Sequence, residues 1–321
     1  MLRALLVFAG LAALVLLGGC QRKGKVVIGV VPKSVNTIFW ITVQAGAMAA
    51  GKDLDVEIEW NGPAVEAEFS RQIQILDSMI TRRVDGIALA VGDRKALVQT
   101  VERAAAAGVP LVVFDSGVDT DKYVTYIATD NYAGGQMAAH TLAKLVGGRG
   151  AVAMMRNSPG SYSTMDRERG FLDVLGKEYP GMRVVAEQFG VADRAKSMTA
   201  MENILSAHPN LDGLFASAEP CSVGAALALK SRGLGGKVKF VAFDSSDAMI
   251  EDLKGGVMHA MVVQDPFRMG YEAVTTVVEK LRGKTPPRQI DLPATVVDLS
   301  NLDQPEIRKL VFPDIKPYVG G

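Results

Sequence analysis

Two aspartates recur in the same local context, and their side-chain chemistry suits the binding of hydroxyl groups. Asp115 and Asp244 each stand in the sequence Phe-Asp-Ser at the end of an apolar run. Each run follows another apolar run that begins Asp-Gly, at Asp85 and at Asp212. An ionised carboxylate only accepts hydrogen bonds and can take two vicinal hydroxyls at once. A single aspartate at a strand end is more typical of an Asx-turn, but the duplication favours a pair of ligand-binding carboxylates.

The turn after the first apolar run, KVVIGVV, carries aromatic and small polar residues. It reads PKSVNTIFW from Pro32 to Trp40. A dinucleotide-binding protein would place a Gly-rich phosphate loop here, so this glycine-free turn gives a nucleotide site little support. Phe39 and Trp40, beside Lys33 and Asn36, suit a neutral ring with an apolar face and hydroxyl edges.

Two more polar residues stand where they could reach a ligand. Arg167, early in the predicted helix SYSTMDRERGF, has a guanidinium fork that suits paired oxygens and can balance nearby carboxylates. Gln264 ends an apolar strand, and its amide both donates and accepts hydrogen bonds. Asp265 precedes Pro266 and is more typical of a helix cap than of a ligand-binding residue.

Catalytic and metal-binding interpretations find little support in the sequence. The three histidines, His140, His208 and His259, lie far apart and lack metal-ligand spacing. The chain contains no Gly-x-Ser-x-Gly elbow and no Walker loop. Cys221 could act as a nucleophile but is more typical of a small buried residue. We therefore expect no enzyme, no metal and no cofactor.

The order of apolar runs and amphipathic stretches predicts the elements that position these residues. Strand, helix and strand alternate regularly, which predicts βαβ units and parallel sheets with helices on both faces. The second half repeats the first, so the predicted fold class is α/β with two Rossmann-like lobes. Ligands bind outside the carboxyl ends of the strands in such sheets. Two facing lobes would therefore aim Asp115 and Asp244 into one shared cleft.

The first twenty residues predict export and a lipid anchor. Arg3 is followed by an apolar stretch from Ala4 to Leu17, which is short for a membrane span and fits the h-region of a secretory signal. The sequence Leu17-Gly18-Gly19-Cys20 matches a bacterial lipobox, in which Cys20 is acylated after cleavage. An uncleaved short anchor and an ordinary signal peptide are the alternatives. Since only Cys221 then remains, no intramolecular disulfide can form.

Composition and charge restrict the class of partner. Lysine and arginine together number 35, aspartate and glutamate also number 35, and the formal net charge is zero. A chain with equal numbers of basic and acidic residues and no long basic run is not expected to bind nucleic acid. No second apolar segment is long enough to span a bilayer, and a mature chain of about 300 residues is long enough for two domains.

From Lys25 to about Asp298 the chain resembles the periplasmic sugar-binding proteins of ABC importers, the group related to ribose-binding protein and to the ligand domains of LacI-type repressors. The matching motifs, in order, are Phe39-Trp40, PLVVFDS, ATDNYAGGQMAA, RERGF, VAFDSSD and VVQDPFRMGY. No helix-turn-helix precedes the lobes and a lipobox does, which excludes the repressor branch.

The resemblance implies a type I periplasmic binding fold, in which two lobes with parallel sheets are joined by a three-segment hinge. The crossovers are expected near Asp130, Gln264 and Pro293. The predicted domains are a signal peptide at 1–20, a first lobe at 21–129 plus 265–292, and a second lobe with its tail at 130–264 plus 293–321.

The resemblance also implies roles for individual residues. Phe39 and Trp40 are expected to pack on a sugar face, Arg167 to fork onto hydroxyl or ring oxygens, and Gln264 to sit where the chain recrosses the hinge. Asp115 and Asp244 are expected to bind hydroxyls. The full set of candidate ligand-binding residues is Lys33, Asn36, Phe39, Trp40, Asp115, Ser116, Arg167, Glu219, Asp244 and Gln264.

Three departures from the ribose-like pattern bear on the ligand. Ser116 stands where those relatives carry arginine, Ala90 where they usually carry asparagine, and Ala218-Glu219 where they carry Asn-Asp or Asn-Glu. The loss of these polar groups disfavours plain ribose or glucose as the ligand. Lys33 is shared with autoinducer-2-binding and xylose-binding relatives, so a pentose, a polyol or a furanose-like signal remains open.

These observations predict a monomeric, lipid-anchored solute-binding protein of the periplasm. It would capture a sugar or sugar-like polyol between its lobes, shift a hinge equilibrium towards the closed form, and present that form to an ABC permease in the inner membrane. The alternative is a sensory module that presents a sugar-like signal to a chemoreceptor or histidine kinase.

Overall fold

The computed structural model describes residues 24–319, so the predicted signal peptide and Cys20 lie outside the described residues. Strands and helices alternate along most of the chain. In chain order the elements are β1 (Val27–Val31), α1 (Ile38–Leu54), β2 (Glu57–Trp60), α2 (Phe69–Arg82), β3 (Gly86–Leu89), α3 (Val98–Ala106), β4 (Leu111–Phe114), β5 (Tyr126–Thr129), α4 (Asn131–Val146), β6 (Gly150–Arg156), α5 (Tyr162–Glu178), β7 (Met182–Phe189), α6 (Arg194–Ala207), β8 (Gly213–Ala216), α7 (Glu219–Ser231), β9 (Lys239–Phe243), α8 (Asp247–Lys254), β10 (Ala260–Val263), α9 (Pro266–Leu281), β11 (Gln289–Leu292), β12 (Thr295–Val297) and α10 (Pro305–Val311).

The strands form two six-stranded sheets, each the centre of one lobe. The first sheet has the order β11-β5-β4-β3-β1-β2, and the second has the order β12-β10-β9-β8-β6-β7. The predicted α/β class with two lobes is therefore confirmed. All pairs of the first sheet are parallel. The second sheet departs from a purely parallel arrangement, because β12 pairs antiparallel with β10 at its edge.

The inner strands are buried on both faces because helices cover both faces of each sheet. The four residues of β3, β4, β8 and β10 are all buried. Each sheet separates two hydrophobic clusters, one on each face: one pair around β1 and β3, the other around β6 and β8. Burial of these apolar side chains is the main driving force for each lobe.

The repeated Asp-Gly pairs have the same structural task in both lobes. The Asp85 carboxylate accepts a hydrogen bond from the Val27 N–H at 2.8 Å, at the start of β1. The Asp212 carboxylate accepts one from the Ala151 N–H at 2.7 Å, near the start of β6. Each aspartate thus ties the strand that follows it to the neighbouring strand at the amino end of the sheet.

Along the described strands and helices, the chain crosses from one lobe to the other three times. It does so between β5 and α4, between β10 and α9, and between β11 and β12. Asp265 caps α9 by accepting a hydrogen bond from the Arg268 N–H at 2.9 Å, as the sequence predicted. Asp130 caps α4 in the same way, accepting from the Ala133 N–H at 2.9 Å. Both caps stand directly at a crossover and set the direction in which the chain enters the next lobe.

No helix between residues 24 and 319 has the length and apolar character needed to cross a membrane.

Candidate functional site

A cavity with about 390 Å³ of empty space, which includes open solvent, lies between the lobes, at the carboxyl ends of the strands. Eight of the ten candidate residues line it: Lys33, Phe39, Trp40, Asp115, Arg167, Glu219, Asp244 and Gln264. The remaining lining residues are Thr37 and Glu66 from the first lobe and Asn157, Ser163, Thr164, Ala218 and Pro220 from the second.

The two duplicated aspartates share an uncommon backbone conformation. Asp115 has φ of 59° and Asp244 has φ of 72°, both in the left-handed region that aspartate tolerates better than most residues. In each, the backbone N–H still donates to the adjacent strand, at Ile127 O and Val262 O respectively, both at 2.9 Å. In the described residues, neither carboxylate accepts the backbone hydrogen bond that would form an Asx-turn. Both side chains instead point away from the strand end and face the cavity.

Asp115 forms a buried ion pair with Lys33. The Lys33 ammonium lies 2.8 Å from Asp115 Oδ2, and both side chains are 4% exposed or less. The contact lacks the direction of a hydrogen bond, so Asp115 Oδ2 has no hydrogen-bond donor in the described residues. Lys33 also donates across the cleft to the hydroxyls of Ser163 and Ser161, at 3.2 and 3.3 Å. One ammonium therefore links the first lobe to the start of α5 in the second.

Asp244 is held by three groups on the second lobe's side of the cavity. Its Oδ1 accepts from the Gln264 amide at 2.6 Å, and its Oδ2 accepts from the Glu219 N–H at 3.0 Å. The Arg167 guanidinium lies 3.9 Å from the same Oδ2. Since each carboxylate oxygen can accept two hydrogen bonds, Asp244 retains acceptor capacity for a ligand.

Arg167 is fixed by packing as well as by hydrogen bonds. Its guanidinium donates to the Asn131 side chain at 2.8 Å and to Ser217 O at 2.9 Å, and it stacks 3.8 Å from the centre of the Phe243 ring. Its helix, α5, can approach α4 closely because Gly135 faces the Arg167 carbonyl. A Cβ at Gly135 would lie 1.9 Å from that oxygen, so any side chain there would displace Arg167.

Glu219 provides a second buried acceptor without a donor. Its Oε1 accepts from Arg194, while its Oε2 has no hydrogen-bond partner among the described residues. The side chain is 2% exposed, and burial raises the pKa of Glu219 against the lowering influence of Arg194. A hydroxyl of a bound ligand could satisfy Oε2, which is costly to leave unpaired.

The aromatic wall comes from the first turn of α1. Trp40 is only 2% exposed, packs at right angles to Phe39 with ring centres 4.9 Å apart, and donates through its indole N–H to Glu66 at 3.0 Å. Phe39 is partly exposed. The cavity therefore combines one apolar side with acceptor-rich sides, as a sugar ring requires.

Gln264 joins the hinge to the site. Its carbonyl oxygen accepts from the Thr129 hydroxyl at 2.6 Å, while its amide donates to Asp244. Thr129 ends β5 at one crossover and Gln264 follows β10 at another. The amide therefore ties two hinge segments to a cavity-lining carboxylate.

Two candidate residues lie outside the cavity lining. Asn36 is exposed, and its side-chain amide donates to Ala64 O at 3.1 Å, so it braces a loop instead of facing the cleft. Ser116 is fully buried behind the lining, where its hydroxyl accepts from the Ser163 N–H at 3.2 Å. Its position links the lobes without reaching the cavity.

Sequence reasoning missed several lining residues. Ser163 stands in the serine-rich segment SYST before Arg167, a signal that a search for hydroxyl groups at a helix start could have found. Glu66 lies in a loop with no motif, and only the fold brings it to Trp40. Arg194, which pairs with Glu219 but does not line the cavity, comes from α6 and stands 25 residues before Glu219 in the chain.

Residues 24–319 contain no arrangement of side chains that supports the alternative functions, metal binding and nucleophilic catalysis by Cys221. No group of three or more His, Cys, Asp or Glu side chains in that part of the chain is arranged to hold a metal ion. Cys221 is fully buried, and burial raises the pKa of its thiol to about 12. It is therefore a protonated packing residue at neutral pH and not a nucleophile.

Comparison with known proteins agrees with this geometry. Residues 28–285 match the family described as periplasmic binding protein domain. The chain belongs to the periplasmic binding proteins. This membership confirms the expected family, the expected periplasmic location, and the expectation of a binding protein in place of an enzyme.

Two relatives align with more than four fifths of the chain. The ribose import binding protein of Bacillus subtilis is 29% identical over 274 residues, which span 85% of this chain and 87% of the relative. The D-ribose/D-allose-binding protein of Pseudomonas aeruginosa is 29% identical over 272 residues, 82% of this chain and 85% of that one.

Solved structures give the same result. A carbohydrate transporter solute-binding protein from Agrobacterium radiobacter, in complex with D-arabinose, is 34% identical with a TM-score of 0.87, covering 90% of this chain and 99% of the other. An ABC transporter solute-binding protein from Agrobacterium vitis, with bound D-fucose, is 33% identical with a TM-score of 0.86, covering 89% of this chain and all of the other.

Proposed function

We propose that this periplasmic binding protein captures a neutral sugar or sugar-like polyol between its lobes and delivers it to an ABC permease. The observation that carries the proposal is a pair of buried carboxylates that face one cavity from opposite lobes: Asp115, whose Oδ2 is ion-paired with Lys33 but accepts no hydrogen bond, and Glu219, whose Oε2 has no hydrogen-bond partner among the described residues. A ligand rich in hydroxyl donors would satisfy both, whereas an anion would meet four carboxylates there against two cations.

The similar proteins narrow the class of sugar to be tested. Their names and complexes include ribose, allose, arabinose and fucose. The chain's own departures at Ala90, Ser116 and Ala218 leave fewer polar ligand groups at three strand ends than the ribose-like pattern has. We therefore favour a pentose or a deoxyhexose over glucose as the ligand, with a polyol as the next candidate.

Hinge closure follows from the distribution of the lining residues. The candidate ligand contacts are divided between the two sheets, so a ligand makes both sets of contacts only when the lobes are closed. We take the lobe bounds to be 21–129 plus 265–292 and 130–264 plus 293–321. One chain supplies both walls, which supports action as a monomer.

The sensory alternative can be separated from transport in one assay. Purified sugar-loaded protein added to proteoliposomes that contain the cognate permease and ATPase should stimulate ATP hydrolysis and sugar uptake. The import function would be rejected if loaded protein bound its sugar but left both rates at the basal level. The ribose import relative and the two transporter structures are named for import or transport and lend no support to a chemoreceptor role.

The lipid anchor is a separate part of the proposal, and it is motivated by Leu17-Gly18-Gly19-Cys20. Cys20→Ser should prevent acylation, so the protein should lose its membrane association or retain its signal segment. Mass spectrometry of the mature protein tests this. An unmodified N-terminus that begins elsewhere, such as at Lys23, would rule out lipidation.

A further inference from the structure

A second pocket adjoins the binding cavity, with about 730 Å³ of empty space that includes open solvent at its mouth, and we refer to it as the side chamber. Its walls come from α1 at Ile38, Phe39 and Thr42, from the turn at Ser245–Asp247, and from the C-terminal segment between Leu310 and Ile315. Phe39, Asp244 and Gln264 line both cavities. The two spaces therefore meet at these three side chains.

The side chamber is built from both lobes. Ile38 and Thr42 belong to the first lobe, whereas Ser246 precedes α8 in the second. The C-terminal segment leaves the second lobe's core at Val311 and reaches the first lobe, where the Tyr318 ring lies 5.8 Å from the ring of Phe267. The chamber therefore has walls from both lobes, as the main cavity does.

Ser246 marks a polar site in this chamber. The residue is 9% exposed, its hydroxyl has no hydrogen-bond partner among the described residues, and the hydroxyl does not cap α8, although Ser246 occupies the cap position. A buried hydroxyl without a partner is costly. A ligand that offers a hydroxyl or ether group would remove that cost.

The charge of the lining restricts the chemistry of the occupant. The lining residues include Asp244 and Asp247 but no lysine or arginine. A phosphate or carboxylate substituent would therefore meet repulsion without compensation. The apolar part of the lining ends at a rim formed by Ile38 and Phe312, one from each lobe and each 39% exposed. An apolar surface beside a few polar groups is typical of sites for ring-shaped neutral ligands.

We propose that the side chamber binds a second, neutral ring attached to the sugar, so that the preferred ligand is a glycoside with a sugar or aromatic aglycone. This inference rests on the proposed sugar-binding function. The sugar ring would occupy the main cavity, and its substituent would pass where the Gln264 amide donates to Asp244. There a glycosidic oxygen would accept from the Gln264 amide and a neighbouring hydroxyl would donate to Asp244.

The test compares parent sugars with their phenyl glycosides by isothermal titration calorimetry. D-Arabinose, D-fucose, D-ribose and D-allose are each titrated alongside both phenyl anomers. The variant Ile38→Trp fills the chamber from an exposed position, and Leu281→Trp is its matched control, because Leu281 is also 39% exposed but lines neither cavity.

We expect wild-type protein to bind at least one phenyl glycoside more tightly than its parent sugar. Ile38→Trp should weaken that glycoside about tenfold, the effect of losing about 1.4 kcal/mol, and should leave the parent sugar within about twofold. Leu281→Trp should change neither affinity. Ser246→Ala should weaken a disaccharide of the same sugar several-fold while the phenyl glycoside keeps its affinity.

The outcomes separate the two proposals. Parent sugars that bind while every glycoside binds more weakly, or an equal loss for both in Ile38→Trp, would overturn the side-chamber inference and leave the sugar-binding function intact. Failure of all sugars and all glycosides to bind wild-type protein would remove both.

Discussion

Removing the Asp115 carboxylate should leave the Lys33 ammonium buried without its counterion. The two groups lie 2.8 Å apart and are each 4% exposed or less. Breaking such a pair by truncating one partner costs about 3–5 kcal/mol. Lys33 keeps the hydroxyls of Ser161 and Ser163 as acceptors, so we expect the lower end of that range. Asp115→Ala should therefore lose about 3 kcal/mol of unfolding free energy, or roughly 6 °C in Tm at about 2 °C per kcal/mol.

A double-mutant cycle isolates the pair from the rest of the site. The double variant Lys33→Met/Asp115→Ala replaces both charges by apolar groups, which is often neutral or stabilising for a buried pair. We expect it to recover most of the lost stability, with a coupling energy of about 2 kcal/mol. Its affinity for the sugar should remain low, because the carboxylate that we propose binds hydroxyl groups is still absent.

Urea denaturation of the unliganded proteins measures the cycle. The matched control is Lys25→Met, which removes the lysine of an exposed ion pair with Asp55, where the two side chains are 49% and 92% exposed. An exposed pair contributes about 0–1 kcal/mol, so this control should unfold close to wild type. Wild-type stability of Asp115→Ala, together with negligible coupling, would refute the reasoning, since the carboxylate would then face water before ligand binds.

Two further predictions concern the cavity walls. Trp40 lines the cavity whereas Trp60 ends β2, so ligand should change tryptophan emission in wild type and not in Trp40→Phe; an unchanged response in that variant would exclude Trp40 as the reporter. Burial raises the pKa of Glu219, so the folded state favours its protonated form and is penalised at a pH above that raised value. Glu219→Gln should therefore raise the unfolding free energy of the unliganded protein at alkaline pH, and the gain should shrink as the pH falls through the raised pKa towards the usual pKa of glutamate, whereas a gain that grows with acidity would contradict the assigned cause.

The two-lobe fold could be predicted because the sequence repeats a local pattern whose physics is simple. Buried strands read as apolar runs, and the duplicated Phe-Asp-Ser sequences end equivalent strands β4 and β9. The antiparallel edge strand β12 could not be predicted in this way, because a three-residue strand carries no periodic signal. Strand β12 pairs with β10 because the chain crosses the hinge again between β11 and β12.

The site was predictable where a residue stands at a strand end and unpredictable where a loop or distant helix supplies it. Asp115, Asp244 and Gln264 follow β4, β9 and β10, so their direction is set by the sheet. Glu66 reaches the cavity from a loop, and its bond to the Trp40 indole depends on tertiary packing. Asn36 shares the turn of Lys33 but is exposed and donates to Ala64 O, a contact that depends on how a distant loop packs against the turn.

The measurement that tests the central claim most directly is parallel calorimetric titration of one sugar into wild type, Asp115→Ala and Asp244→Ala. The sugar is chosen by a thermal-shift panel, in which a ligand at about a hundred times its Kd adds about 2.7 kcal/mol of stability. A hydrogen bond to a charged group is worth about 1.5–3 kcal/mol, so each variant should bind roughly 10- to 200-fold more weakly. Unchanged affinity in both folded variants would contradict a ligand held between the two lobes by these carboxylates.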